Sequence, residues 1–196
     1  MRDRLPDDPS SAKGIALCDQ MPNSNDMLAR PLCRLTFLFL LVGLAAVPTT
    51  AAASCTDPPG PGVNWQRCAL DGLDLKNLDL AGARLRDSSF FRSDLSGSDL
   101  SDTESSRAKF VNAMMESAVI DGARLYEADL TKANLTGASL VGTDLRRARL
   151  FRAKMRDADL TDARLTGADL TLVEFSGATW TDGERVCAEG SVGRCN

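Results

Sequence analysis

The stretch ADLTKANLTGASLVGTDLRRARLFRAKMRDADLTDARLTGADLTL (residues 128–172) repeats a five-residue unit, with Ala or Thr first and Leu or Met third. From residue 70 to residue 180, every position divisible by five is Leu, Phe, Met, Ile or Trp, except Ser105. A helix would spread these side chains around its axis, and a strand would send them alternately to its two faces. A backbone that bends after every five residues brings them to one central line. The sequence therefore predicts four-sided coils of about 20 residues that stack on a shared core.

Repeats such as Ala128–Lys132 and Ala168–Leu172 resemble the pentapeptide-repeat family, in particular its exported bacterial members with cysteine-containing end caps. The resemblance covers residues 68–182 and implies an all-β fold, the right-handed quadrilateral β-helix. About 23 repeats would form nearly six coils and a rod on the order of 28 Å long, at about 4.8 Å per coil. At the polar exception, Ser105, we expect a buried hydroxyl bonded to a neighbouring backbone group. A bulged coil is the alternative.

Residues 27–53 have the features of a secretory signal peptide. Arg30 and Arg34 precede an apolar stretch from Leu35 to Val47, which is too short to span a bilayer, and Ala51–Ala53 follow. We expect cleavage near Ala53, a periplasmic or secreted product, and no transmembrane helix in the mature chain.

The chain on either side of this signal divides into further segments. Residues 1–26 are interpreted as a spurious or disordered extension ahead of a start at Met27. Residues 54–67 are expected to form an N-terminal cap, and residues 183–196 a disulfide-bonded C-terminal cap, because exposed coil edges invite aggregation.

Export changes how the cysteines are interpreted. Removal of the signal leaves four, an even number that indicates disulfides in an exported chain: Cys55, Cys68, Cys187 and Cys195. On the rod that the family resemblance implies, the two pairs lie at opposite ends. That placement favours the bonds Cys55–Cys68 and Cys187–Cys195. Lipidation of Cys55 is the alternative.

The register predicts four sides, because residues 20 apart stack on one another. The acidic side, centred on Leu80, Leu100, Ile120, Leu140, Leu160 and Trp180, has no Lys or Arg and carries Asp79, Asp99, Asp102, Asp121, Asp159, Asp162 and Asp182. The arginine side, centred on Leu85, Ser105, Leu125, Leu145 and Leu165, carries Arg84, Arg86, Arg107, Arg124, Arg146, Arg147 and Arg164. The Phe-centred side, centred on Phe90, Phe110, Leu130, Leu150 and Leu170, carries Arg92, Lys109, Lys132, Arg149 and Arg152 against Asp129 and Asp169. The fourth, the mixed side, is slightly acidic. The net charge of −4 thus conceals segregated charge that can steer partners.

The densest group of cations is the candidate partner surface: Arg146, Arg147, Arg149, Arg152, Lys154 and Arg156. It suits anionic lipid headgroups or envelope polymers. The alternative is that exposed repeat positions are simply polar. Phe91, Val111 and Phe151 also point outward by register, either as a partner surface or covered by neighbouring Arg and Lys stems.

Enzymatic activity is not expected. The chain contains no His, the commonest general base and metal ligand, and a filled rod offers no cleft in which paired carboxylates could work. No catalytic, cofactor-binding or metal-binding residue is predicted, and weak Ca²⁺ binding by the Asp ladder lacks a clustered ligand loop.

The leading hypothesis is a non-catalytic exported rod whose charged surface binds a protein or cell-envelope partner. The competing interpretation is a structural or stress-associated envelope protein with no discrete ligand. A third, from the family resemblance, is a DNA-mimicking protein that binds a topoisomerase. Export argues against it, and nucleic acid is not an expected partner.

Overall fold

The computed structural model describes residues 54–196, and the predicted signal peptide and N-terminal extension lie outside these residues. Within this part, no helix occurs and the β-structure consists of single-residue bridges at every fifth residue from Asn64 to Thr179. The bridges between successive coils are parallel and join residues 20 apart, from Asn64–Arg84 to Asp159–Thr179. The fold is the right-handed quadrilateral β-helix of pentapeptide-repeat proteins, as predicted.

Backbone hydrogen bonds explain why five residues suffice for one side. In the repeat 128–132, the second residue, Asp129, donates its N–H to the preceding coil at Ala108 O (2.9 Å). The third and fifth residues, Leu130 and Lys132, donate to the following coil at 2.7 and 2.9 Å. The fourth N–H, on Thr131, donates to the Asp129 carboxylate at 3.0 Å. With the turn bond from the next residue back to Leu130 O, every N–H along the side has an acceptor.

The core is a column of third residues flanked by small first residues. The third residues from Leu70 to Leu160 are all buried, and the Phe90 and Phe110 rings stack in successive coils with centroids 5.0 Å apart. First residues from Ala83 to Ala163 are buried as well. The hydroxyls of the polar first residues Ser88, Ser93, Ser98 and Thr143 each donate to a carbonyl, as Ser98 Oγ does to Leu95 O at 2.6 Å. Two large side chains per repeat would overfill this interior.

Ser105 keeps the coil regular but bonds a different partner from the one expected. Glu104 forms parallel bridges to both adjacent coils, so the chain has no bulge here. The Ser105 hydroxyl donates to Thr103 Oγ1 at 3.0 Å rather than to a backbone group. A polar first residue and a polar third residue therefore satisfy each other inside the core.

Coil geometry begins slightly before residue 68. Asn64 already bridges to Arg84, and Trp65, buried to 3% exposure, occupies a third position. Its indole Nε1–H donates to Asp57 O at 3.2 Å, which holds the N-terminal segment against the first coil. Trp65 lies five residues before Leu70, so the same period already placed it in register.

Disulfides join Cys55 to Cys68 and Cys187 to Cys195, one at each end of the coils. At the C-terminal end the chain reverses and forms antiparallel bridges, Thr179–Val186 on the acidic side and Glu174–Val192 on the mixed side. These bridges supply acceptors for N–H groups of the last coil that have no following coil.

Replacing Leu130 by Ala is expected to destabilise the fold by about 2–5 kcal/mol, because it opens a cavity in the middle of the column. Urea unfolding followed by circular dichroism measures the effect. Met114→Ala is the matched control, since Met114 is 45% exposed and its loss should cost less than about 0.5 kcal/mol. Equal effects for the two variants would contradict a core built on third residues.

The double variant Cys187→Ser/Cys195→Ser should release the reversed C-terminal segment from the last coil. The free energy of unfolding should fall by about 2–3 kcal/mol, as expected for a disulfide that closes a short loop. The amides of Phe175, Gly177 and Trp180, which donate to the reversed segment, should then lose hydrogen-exchange protection.

The amide of Leu130, in the middle of the rod, should keep its protection in this variant. The control Cys55→Ser/Cys68→Ser should leave the C-terminal amides protected. Loss of protection at Trp180 in both variants would mean that the two ends are not independent.

Candidate partner surface

The carboxylates of the acidic side also serve the backbone. Asp99 and Asp159, both second residues, accept hydrogen bonds from the fourth-position N–H of their own repeat, each at 2.9 Å. Asp121, a fourth residue, instead accepts from Val141 N in the next coil at 2.9 Å. Asp is therefore frequent on this side because it completes the turns, and a charged surface follows from that role.

The structure places the predicted cation group around one level of the rod, spread over three of its sides. Arg146 and Arg147 lie on the arginine side, Arg149 and Arg152 on the Phe-centred side, and the last two, Lys154 and Arg156, on the mixed side. The six residues form a girdle, so no flat partner contacts all of them together.

Four members of this girdle are engaged by carboxylates. Nη2 of Arg146 lies 2.6 Å from Asp144 Oδ2, and Nη1 of Arg149 lies 3.2 Å from Asp129 Oδ2. Arg147 and Arg156 make pairs of 3.4 and 2.9 Å with Glu127 and Glu174. Their positive charge is partly compensated before any partner arrives.

Arg152 and Lys154 differ from the other four. Both are exposed, and neither forms an ion pair within residues 54–196. The Arg152 guanidinium lies over the Phe151 ring, 5.2 Å from its centroid. These two cations offer the most available charge in the girdle.

The outward apolar row of the Phe-centred side is partly covered. Phe91 is 36% exposed, with the Arg92 guanidinium 4.8 Å from its ring centroid, while Val111 and Phe151 are half-buried. Between them, Thr131 Oγ1 is buried and has no hydrogen-bond partner among residues 54–196. Each of the two phenylalanines is thus partly covered by the arginine next to it, which is the second of the two sequence interpretations.

Hydrogen bonds from arginines lower the pKa of two carboxyl groups on the arginine side. The bond from Arg107 lowers the pKa of Asp87, with Nε 2.7 Å from Oδ1, and burial opposes this shift. The bond from Arg146 similarly lowers the pKa of Asp144, again against burial. Both arginines have their own pKa raised by the same contacts. These two ion pairs therefore make the charge state of the arginine side contribute to the stability of the fold.

Residues 54–196 contain no group of three His, Cys, Asp or Glu side chains placed to hold a metal ion. In the same residues, no helix has the length and apolar character needed to cross a membrane.

Comparison with protein families identifies the repeat. The description "Pentapeptide repeats" matches in 8 copies over residues 88–126, 128–167 and 148–179. The chain belongs to the pentapeptide-repeat family. Such proteins are typically non-enzymatic.

Solved structures of the same family resemble this pentapeptide-repeat protein. HetL, involved in heterocyst differentiation regulation in the cyanobacterium Nostoc sp. strain PCC 7120, is 29% identical over 63% of this chain and 64% of HetL, with a TM-score of 0.43. The match thus spans slightly less than two thirds of HetL. Rfr23 from the cyanobacterium Cyanothece 51142 is 25% identical over 60% of this chain and 90% of Rfr23, with a TM-score of 0.39. QnrB1, a plasmid-mediated fluoroquinolone resistance protein, is 18% identical over 63% of this chain and 87% of QnrB1, with a TM-score of 0.43. Among curated proteins, no sequence match was found.

The lowered pKa values predict how stability depends on acid. Asp87 and Asp144 titrate below the unfolded value of about 3.9, so their contribution is complete above that pH. It is lost as the pH falls through the lower folded-state pKa. The double variant Asp87→Asn/Asp144→Asn should therefore melt earlier than the parent at pH 7 and show a shallower loss of stability on acidification.

Thermal melts from neutral pH to below the carboxyl range measure this difference. Asp57→Asn is the control, because Asp57 is exposed and makes no ion pair among the described residues. An acid profile for the double variant that parallels the parent would show that these pairs do not couple to folding.

Proposed function

We propose that this protein is a non-catalytic, exported β-solenoid that binds a protein or cell-envelope partner through its segregated surface charge. The observation that carries the proposal is the contrast between sides. The acidic side has no Lys or Arg from Leu78 to Asp182, whereas unpaired cations project from the Phe-centred side. A rod with fixed, opposed charge orients an incoming charged partner before contact.

Export supports the envelope as the location. The features of residues 27–53 and the two disulfides are both expected of a protein that folds in an oxidising compartment. The bonded caps also suit a protein that works without the reducing environment and chaperones of the cytoplasm.

The structure refines which cations should matter. Reversing Arg146, Arg147 and Arg149 to Glu would bring new acids against the existing carboxylate partners of these residues and disturb the fold. Neutral substitutions avoid this problem. They also allow a comparison of paired cations with the unpaired Arg152 and Lys154.

Capture of partners from envelope fractions tests the function. Immobilised protein should retain a partner at low ionic strength and release it as salt rises, because screening weakens exposed charge contacts. Arg152→Gln/Lys154→Gln should lower this capture more than Arg146→Gln/Arg147→Gln, whose charges are already compensated.

Two observations would contradict the proposed function. Peptide mass mapping of the precursor and its secreted form must place the mature N-terminus near Ala53. A cytoplasmic, unprocessed product would overturn the exported assignment. Absence of any salt-sensitive partner at low ionic strength would favour a structural envelope protein without a discrete ligand.

A further inference from the structure

The fifth residue of each repeat turns the corner in the left-handed backbone region. Its φ is positive at every corner from Gly62 to Gly177. On the acidic and mixed sides, every corner from Asn77 to Gly177 is Gly, Asp, Asn or Ser. Gly accepts this conformation without strain, and Asn and Asp tolerate it, whereas other residues with a Cβ are strained there; on these two sides Ser117 is such a residue. The other two sides depart from this preference.

On the arginine side, ion pairs between coils account for the long corner residues. Arg107 donates two hydrogen bonds to Asp87, the corner residue of the preceding coil, at 2.7 and 2.9 Å. Arg147 donates a single hydrogen bond of 3.4 Å to Glu127, also a corner residue of the preceding coil. Arg107 and Arg147 are therefore each matched to an acid 20 residues earlier. Arg67, at the first corner of this side, lies one coil before Asp87, and its charge adds to the Arg107 contact in lowering the pKa of Asp87.

On the Phe-centred side, no such explanation exists. Its successive corners are Gly72, Arg92, Asn112, Lys132, Arg152 and Leu172, without a carboxylate among them. Arg92, Lys132 and Arg152 are exposed and have positive φ values of 57–58°, and they form no ion pair within residues 54–196. Unpaired charge at strained positions points to a role outside the fold.

The three cations form a row parallel to the rod axis. Lys132 and Arg152 lie one coil apart, about 4.8 Å, and Arg92 and Lys132 lie two coils apart, about 9.6 Å. Beside the row run Phe91, 36% exposed, and Phe151, half-buried. Arg92 and Arg152 each lie over one of these rings. Lys132 is next to Thr131 and has no ring to cover, so covering aromatic surface does not explain the whole row.

We propose that this corner row, Arg92, Lys132 and Arg152 with Phe91 and Phe151, binds an extended polysaccharide that carries carboxylate groups. The inference rests on the proposed function and names the chemical class of its partner. A linear polyanion matches a single line of cations, and its sugar rings can contact the part of Phe91 that the Arg92 guanidinium leaves exposed.

A flat anionic membrane fits the same surface less well. The second residues of this side include Asp169, and Asp129 already holds Arg149. These carboxylates border the row and would repel a broad anionic sheet, whereas a narrow chain can follow the corner between them.

Substitution by Gly separates binding from folding. Arg92→Gly/Lys132→Gly/Arg152→Gly removes the charges and gives each corner the residue that best accepts positive φ. Binding to polygalacturonate, measured by titration calorimetry at low ionic strength, should weaken on the order of tenfold or more. The melting temperature should stay at or above that of the parent.

The matched control makes the same backbone change on the neighbouring side. Arg107→Gly/Arg147→Gly should keep the affinity for polygalacturonate within about a factor of two. It should lower the melting temperature, because two coil-to-coil ion pairs are lost. An equal loss of affinity in both variants would show a non-specific charge effect and would overturn the assignment of binding to the corner row. A melting temperature that falls in the triple variant as far as in the control would make the cations structural and also overturn it.

Two further probes test the partner class. Polyglutamate or phosphatidylglycerol vesicles that bind more tightly than polygalacturonate would overturn the assignment to a glycan. No polygalacturonate binding, with salt-sensitive envelope capture retained, would overturn this inference and leave the proposed function standing. Absence of both polygalacturonate binding and salt-sensitive envelope capture would overturn this inference and the proposed function together.

Discussion

The structure depends on one packing constraint, namely that the third side chain of every repeat must reach the same central column. A square coil leaves space for one large and one small inward residue per side. Leu130 and Ala133 show the arrangement, both fully buried on adjacent sides of one coil. Because each coil covers the next, the core is continuous and no repeat could be stable alone. All other positions are then free to differ, and the surface can carry charge without disturbing the interior.

Hydrogen bonding gives the outward residues a second constraint. The fourth N–H of a repeat has no backbone acceptor in the neighbouring coils, and a carboxylate supplies one. The acceptor is either the second residue of the same repeat, as Asp129 is for Thr131, or the fourth residue of the adjacent coil, as Asp121 is for Val141. Much of the acidity of the rod follows from this backbone requirement. The acidic side is therefore weaker evidence for a ligand than its charge implies. The unpaired cations are stronger evidence, since the backbone makes no demand for them.

Corner residues connect conformation with function. A positive φ favours Gly, Asn or Asp, and the acidic and mixed sides follow that preference at every corner from Asn77 to Gly177 except Ser117. Where long cations occur instead, they either pair with an acid in the preceding coil, as Arg107 and Arg147 do, or form no ion pair within residues 54–196, as Lys132 does. This difference between Arg107 and Lys132 separates charges that hold coils together from charges that are available to a partner.

The period of five by itself determined the four-sided coil, the inward column of third residues and the sorting of residues onto four sides, because no regular helix or strand can bury that spacing along one line. It also placed Ser105 in register, whereas Trp65, predicted to lie in the N-terminal cap, belongs to the first coil. Only the tertiary structure decided that the hydroxyl of Ser105 bonds Thr103, that the chain reverses over the last coil, and that the six-residue cation group surrounds the rod. It also decided which of those cations are paired. Ion pairs such as Arg147–Glu127 join residues 20 apart. Rotamers and coil stacking set their geometry, and a linear sequence pattern does not specify either.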